Sequence, residues 1–131
     1  MSQQATGSIP IEVRFADLDA YGHVNNAVYF TYLETARTRL FIDRFLALKG
    51  RGLLLLVARA ECDYQNPIAL NDRVIADVEI ERVGRSSFDL AYTLHDGEGK
   101  TYATARTVMV CFDTGLGRTV EVPGELVKRE G

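Results

Sequence analysis

Tryptophan is absent, and the 131 residues hold only two cysteines, three prolines and two histidines. Two cysteines, Cys62 and Cys111, do not make the disulfide framework of a small secreted domain. Both stand in strand-like runs, where a free thiol behaves as a small buried hydrophobe. His23 and His95 are far from each other and from either cysteine, so no spacing suggests zinc. No metal or other cofactor is expected. No apolar run approaches the length of a membrane span. The opening eight residues, 1–8, are polar, lack the apolar stretch of a signal peptide and read as a flexible tail. A cytoplasmic setting is the expectation. Charge of one sign is scarce too: 15 Lys and Arg against 18 Asp and Glu give a net −3, with no long run. That argues against the basic surface of a nucleic-acid-binding protein, and neither nucleic acid nor membrane is expected as a partner. What is present is ordinary for a globular chain, 47% hydrophobic and 25% charged. One domain spanning 1–131, large enough for a real core, is the natural reading.

Patterning divides the chain. Ile9 to Phe15 alternates as a strand, and Pro10 places its start near a sheet edge. From Asn26 the period lengthens. Tyr29, Leu33, Ala36, Leu40, Phe41, Phe45 and Leu48 recur at helical spacing, which predicts a helix of roughly five to six turns. Gly50 is its natural stop. Strands are predicted over Leu53–Tyr64, Arg73–Val83, Ser86–Asp96 and Thr101–Asp113, separated by Asn66-Pro67, Asn71-Asp72, Gly84-Arg85 and Gly97-Glu98-Gly99. On the first of these, Leu54, Leu56, Ala58, Ala60, Cys62 and Tyr64 should share a face. On the last, Ala103, Ala105, Thr107, Met109 and Cys111 form a mild apolar row that a second subunit could cover. Strand, helix, then four strands predicts an α+β fold: a consecutive antiparallel meander of about five strands, with the lone helix on one face. Val120 to Leu126 would add a short helix or an irregular tail.

The chemistry concentrates between Arg14 and Tyr29. Asp17 and Asp19 are two apart, so an extended backbone would point both to one side. Gly22 permits a backbone conformation closed to other residues. Asn25 can cap the helix that follows. A helix start offers free N–H groups and a partial positive charge. A carboxylate held beside it suits attack on a carbonyl whose oxygen turns negative. Asp17 can equally fix the loop by pairing with Arg14. His23 can act as a base near neutral pH or simply hold the loop. Glu34, about two turns into the helix, can pair with Arg37 at helical spacing.

The run Asp17-Leu18-Asp19-Ala20-Tyr21-Gly22-His23-Val24-Asn25-Asn26-Ala27-Val28-Tyr29 resembles the D-x-D-x-x-G-H-V-N-N-x-x-Y signature of the 4-hydroxybenzoyl-CoA thioesterase-like hotdog family. The following Tyr32-Leu33-Glu34-Thr35-Ala36-Arg37, the length and the strand order resemble it as well. The resemblance implies a hotdog fold, a sheet wrapped around one long central helix. It implies an acyl-CoA thioesterase acting on acyl-CoA or an acyl carrier protein thioester, without a cofactor. Asp19 would be nucleophile or general base, and the backbone N–H of Asn26 would polarise the thioester carbonyl. Asp17, His23, Asn25, Tyr29 and Glu34 would stand in support. Arg85, with Ser86 and Arg82 beside it in a hairpin, would meet the CoA phosphates. A homodimer, pairing further into a tetramer, would place active sites at its interface. Hydratase or dehydratase chemistry with His23 and Glu34, or an acyl-thioester-binding module without catalysis, are the other readings the family allows.

Overall fold

The structure, a computed structural model, describes residues 6–124 and 126. Strand β1 (Thr6–Ile11) leads through a short 3-10 turn (Phe15–Asp17) to helix α1 (Val28–Gly50). Then come β2 (Leu53–Tyr64), β3 (Val74–Val83), β4 (Ser87–His95), β5 (Thr101–Asp113) and the short β6 (Arg118–Val120). All pair antiparallel in one sheet of order β1-β3-β4-β5-β2, with β6 also on β5. This is the α+β arrangement predicted, one long helix against an antiparallel sheet. It has six strands rather than five, because the tail after β5 adds β6.

Three expectations need correction. β1 begins and ends earlier than its alternation suggests: Thr6 to Ser8, read as tail, pair with Glu79, Val78 and Asp77. Residues 1–5 of that tail lie outside the described residues. Pairing with β3, not local pattern, fixes this strand, and Pro10 sits on an edge strand where its missing N–H does no harm. The meander covers only β3, β4 and β5. β2 lies at the far edge beside β5, not next to β3. The row Ala103, Ala105, Thr107, Met109 and Cys111 faces the core of its own subunit, with Ala103, Thr107, Met109 and Cys111 fully buried.

β2 hides a subtler departure. Its register with β5 shifts between Val57 and Arg59, so Ala58 is an extra, bulged residue. A bulge inverts the side-chain alternation beyond it. Leu53, Leu55 and Val57 therefore pair with Asp113, Cys111 and Met109, and after the bulge Ala60, Cys62 and Tyr64 pair with Thr107, Ala105 and Ala103. The single face read from the sequence is really two half-faces.

Helix α1 packs against β1, β2 and β3. Tyr29, Tyr32, Leu33, Ala36, Phe41 and Leu48 are its buried residues. Phe41 leaves helical geometry (φ −115°, ψ 16°), its ring lying against Phe45 and beneath the Arg44 guanidinium. The apolar stripe continues across this kink into the core built on Ile80, Phe88, Leu90, Tyr92 and Leu94.

Candidate active site

The loop between β1 and α1 is built on Asp17. Its carboxylate accepts from the Arg14 backbone N–H (2.9 Å), Arg14 Nη2 (2.9 Å) and Nε (3.2 Å), and the Tyr32 hydroxyl (2.8 Å). It is 1% exposed. Burial alone would raise its pKa, but the bonds from Arg14 and Tyr32 outweigh it and hold the carboxyl below its ordinary value. Burial, then the bond to Asp17, pushes the Tyr32 phenol above the usual tyrosine range. The Asp17 carbonyl also accepts the Asn25 N–H at 2.9 Å, closing the loop. Gly22 makes the return, with φ +82°.

Asp19 faces elsewhere. Because Asp17 ends a 3-10 turn, not a strand, the two carboxylates do not converge. The half-buried Asp19 uses Oδ1 to accept the Tyr21 N–H (2.9 Å) and, at 3.5 Å, the His23 N–H. Its backbone N–H donates to the His23 carbonyl at 2.8 Å. Oδ2 has no partner among the described residues. The His23 ring is exposed and likewise makes no bond among them.

Asn25 opens the helical turn. Its Oδ1 accepts the Ala27 N–H (2.9 Å) in the turn that leads into α1; the N-cap of α1 is Ala27, with no side-chain cap bond, so Asn25 steadies the approach to the helix rather than capping it. Its carbonyl accepts the Val28 N–H, and the Asn26 carbonyl accepts that of Tyr29. Of the N–H groups from Asn25 to Tyr29, that of Asn26 alone finds no acceptor among the described residues. Tyr29 is buried, its phenol raised to about 12, chiefly by burial, so it stays neutral.

One turn further on, a groove of about 330 Å³ runs between α1 and β2, lined by Phe30, Thr31, Glu34, Arg37, Val57, Ala60 and Thr107. The bulge in β2 falls between two of its walls, Val57 and Ala60. Glu34 and Arg37 both line this groove and do not form the expected ion pair; the Arg37 guanidinium is instead directed at the Tyr92 hydroxyl.

The β3–β4 hairpin lies at the opposite end of the sheet. β3 starts at Val74, the partner of Ile11 beside the loop, and ends at Val83. At about 3.3 Å per residue the two ends are roughly 30 Å apart. Arg82 is engaged there with Asp89 (2.9 Å) and Ser87 (2.8 Å). Arg85 and Ser86 are exposed. The Arg85 side chain makes no bond among the described residues.

Two tyrosines were missed as parts of this site, Tyr32 and Tyr64. The Tyr64 hydroxyl, from the end of β2, donates to the Asn26 carbonyl at 2.9 Å. A signal existed for Tyr32: a phenol on the buried stripe of a helix needs a polar partner, and a motif carboxylate just upstream supplies one. Among the described residues no group of three or more His, Cys, Asp or Glu could hold a metal ion.

Residues 13–129 match the Thioesterase-like superfamily. The chain is 29% identical over 119 residues to the long-chain acyl-CoA thioesterase FadM of Escherichia coli (strain K12), covering 88% of this chain and 90% of that one. It is 30% identical over 122 residues to the 1,4-dihydroxy-2-naphthoyl-CoA hydrolase of Thermosynechococcus vestitus, covering 87% and 81%. Among solved structures it is similar to a thioesterase of Thermus thermophilus complexed with coenzyme A and Zn, with TM-score 0.78, 36% identity and coverage of 91% and 92%.

Proposed function

The chain belongs to the thioesterase-like superfamily, and from that premise we propose that it hydrolyses an acyl-CoA thioester to a carboxylic acid and free CoA. The observation that carries this reading is the pairing of an unengaged Asn26 N–H with an unengaged Asp19 oxygen in one short loop at a helix start. The thioester oxygen accepts from Asn26, where the partial positive charge of the helix start favours the oxyanion that forms. Asp19 Oδ2 then attacks the carbonyl carbon as nucleophile, or takes a proton from an attacking water. The C–S bond breaks and CoA leaves as its thiolate, which takes up the proton released from water; on the nucleophilic route a water then cleaves the acyl–Asp19 anhydride, giving the acid and restoring the carboxylate. The acyl group lies in the groove between α1 and β2. Asp17 does no chemistry; it is the buried post on which the loop is hung. Arg85 meets the CoA phosphates, supplied by a second copy of the chain.

Release of free thiol from acyl-CoA is the test. A hydratase working through His23 and Glu34 would transform the acyl group without releasing thiol, and a binding module would turn over nothing. Asp19→Asn changes the charge with little change in volume. It should lower kcat by roughly two orders of magnitude or more, the scale of a positioned acid, base or nucleophile, while the protein still folds. Near-normal kcat in this variant would remove Asp19 from the mechanism.

A further inference from the structure

Asn26 is held through the peptide plane on each side of it, and the second hold comes from outside the loop. Upstream, Asn25 is fixed by its N–H bond to Asp17 and by its two acceptor bonds from Ala27 and Val28. Downstream, the Asn26 carbonyl has a long 3.3 Å bond from the Tyr29 N–H and a 2.9 Å bond from the Tyr64 hydroxyl. Tyr64 is itself well anchored. It closes β2 opposite Ala103, and the next two N–H groups, of Gln65 and Asn66, both donate to the Tyr102 carbonyl at 2.8 and 3.1 Å. Its ring stands edge-on to that of Tyr29, centroids 4.7 Å apart at 84°. Tyr29 is tilted on Tyr32, 6.4 Å away, whose hydroxyl holds Asp17. A row of three tyrosines thus joins the edge strand to both ends of the acid loop.

We propose that Tyr64 is a positioning residue for catalysis: by donating to the Asn26 carbonyl it holds the peptide plane that follows Asn26, and with the Asn25 carbonyl held by the Val28 N–H on the plane before it, this fixes the Asn26 backbone and so the direction of its unpartnered N–H. An N–H aimed at a developing oxyanion is useful only within a narrow range of directions. Displacement by about an ångström at a reacting centre costs on the order of a hundredfold in rate. Tyr64 is suited to the task because burial keeps its phenol protonated above the ordinary tyrosine range, so it remains a donor. Its hydroxyl bond is an exposed one, so the fold should tolerate loss of the hydroxyl as long as the ring stays.

The inference rests on the thioesterase reading for its rate effect but not for its geometry, and two measurements separate them. Tyr64→Phe keeps the ring and its stacking and removes only the hydroxyl. It should lower kcat on acyl-CoA roughly tenfold, a fraction of the loss of a whole oxyanion donor, with KM within about twofold. The melting temperature should stay within about 2 °C, the scale of one exposed bond. By NMR, the Asn26 and Ala27 amide shifts should move and their exchange quicken, while amides across the sheet stay in place. Unchanged kcat with unchanged Asn26 and Ala27 amides overturns the proposal. So does a loss of kcat that follows a lowered melting temperature or shifts spread over the sheet. If the wild-type protein hydrolyses no acyl thioester, the thioesterase reading fails; the amide shifts then decide alone whether Tyr64 sets this peptide.

Discussion

Asp17 and Asp19 stand two positions apart and do opposite things, and environment separates them. Asp17 is 1% exposed and accepts four hydrogen bonds from Arg14 and Tyr32. Asp19 is half-exposed, spends one oxygen on the turn and keeps the other free. A buried, fully bonded carboxylate is a poor nucleophile and a good strut. Replacing Asp17 with Asn should therefore be felt as stability, by about 2–3 kcal/mol, the scale of hydrogen bonds to a charged group. Arg14 remains 66% exposed, so its charge is not stranded. The pH dependence gives the sign. The folded pKa of Asp17 lies below its reference value of 3.8. Its contribution is then fully present above that value and is lost as pH falls through the folded pKa. Asp77 is depressed too: Ser8 and His95 outweigh the upward push of burial. That loss occurs in both proteins and cancels in the difference. Urea unfolding should show a constant gap between wild type and Asp17→Asn above about pH 4, closing as pH falls further. A gap that stays open in acid would mean that Asp17 does not stabilise through its charge.

Helix α1 and the long strands were legible because their patterns are long. β2 and β5 match the predicted Leu53–Tyr64 and Thr101–Asp113 to the residue, while α1 runs through Gly50, its expected stop, and the glycine that turns the chain is Gly52 (φ +78°). Long-range pairing was not legible. Nothing local marks Thr6 to Ser8 as a strand, since they become one only against β3. The bulge at Ala58 leaves no trace in an alternation that reads smoothly through it, so both the groove wall and the aim of Tyr64 were hidden. His95 lies 2.9 Å from Asp77, on a neighbouring strand the sequence alone does not align. In the site, local chemistry was partly legible: the Arg14–Asp17 pair joins near neighbours in sequence, whereas the Asn25 side chain bonds within the turn before α1 and does not cap the helix. The Tyr64 contact, between residues 38 apart, was not. The β3–β4 hairpin carries the prediction at this scale. Arg82 is committed to Asp89 and Ser87, which leaves Arg85 for a phosphate. A guanidinium fork grips phosphate through two donors. Arg85→Ala should raise KM for acyl-CoA roughly fivefold or more, the low end for a charged hydrogen bond at an exposed site. KM for an N-acetylcysteamine thioester, which lacks the phosphates, should not change. The difference should shrink as salt rises. Equal losses on both substrates would point to hairpin damage instead.

At the scale of the molecule, the two parts of the proposed site do not meet within one chain. The Asp19 loop and Arg85 occupy opposite ends of β3, roughly 30 Å apart. The sheet also has an unfinished edge. β2 is 12 residues long, lies at the border of the sheet, and leaves Leu56, Val57 and Tyr64 at 42%, 42% and 45% exposure. A long, open, partly apolar edge strand invites pairing with another strand. The other edge, β1, is six residues with a proline, a poor template by comparison. Both difficulties have one solution. β2 runs from the hairpin end of the sheet at Leu53 to the loop end at Tyr64, so antiparallel pairing with its own copy about a two-fold axis sets the loop end of one chain beside the hairpin end of the other. The β4 end of the partner's hairpin then lies two strands in from the shared edge, about 10 Å, a separation an extended cofactor can bridge. Such an interface is isologous and closes on itself. The protein should sediment as a dimer or a dimer of dimers at assay concentrations. A proline placed at Val57, on the side of the bulge where the Gly52–Thr114 bond leaves odd-numbered N–H groups on the open edge, should reduce both dimer and activity together. Mixing Asp19→Asn with Arg85→Ala protomers adds the decisive reading. If sites are shared, one site of each mixed dimer carries both defects and the other carries neither, so a fraction of wild-type kcat/KM on acyl-CoA returns on mixing. Sites complete within one chain would give only the average of the two variants, and a fully active monomer would end the argument for a shared site.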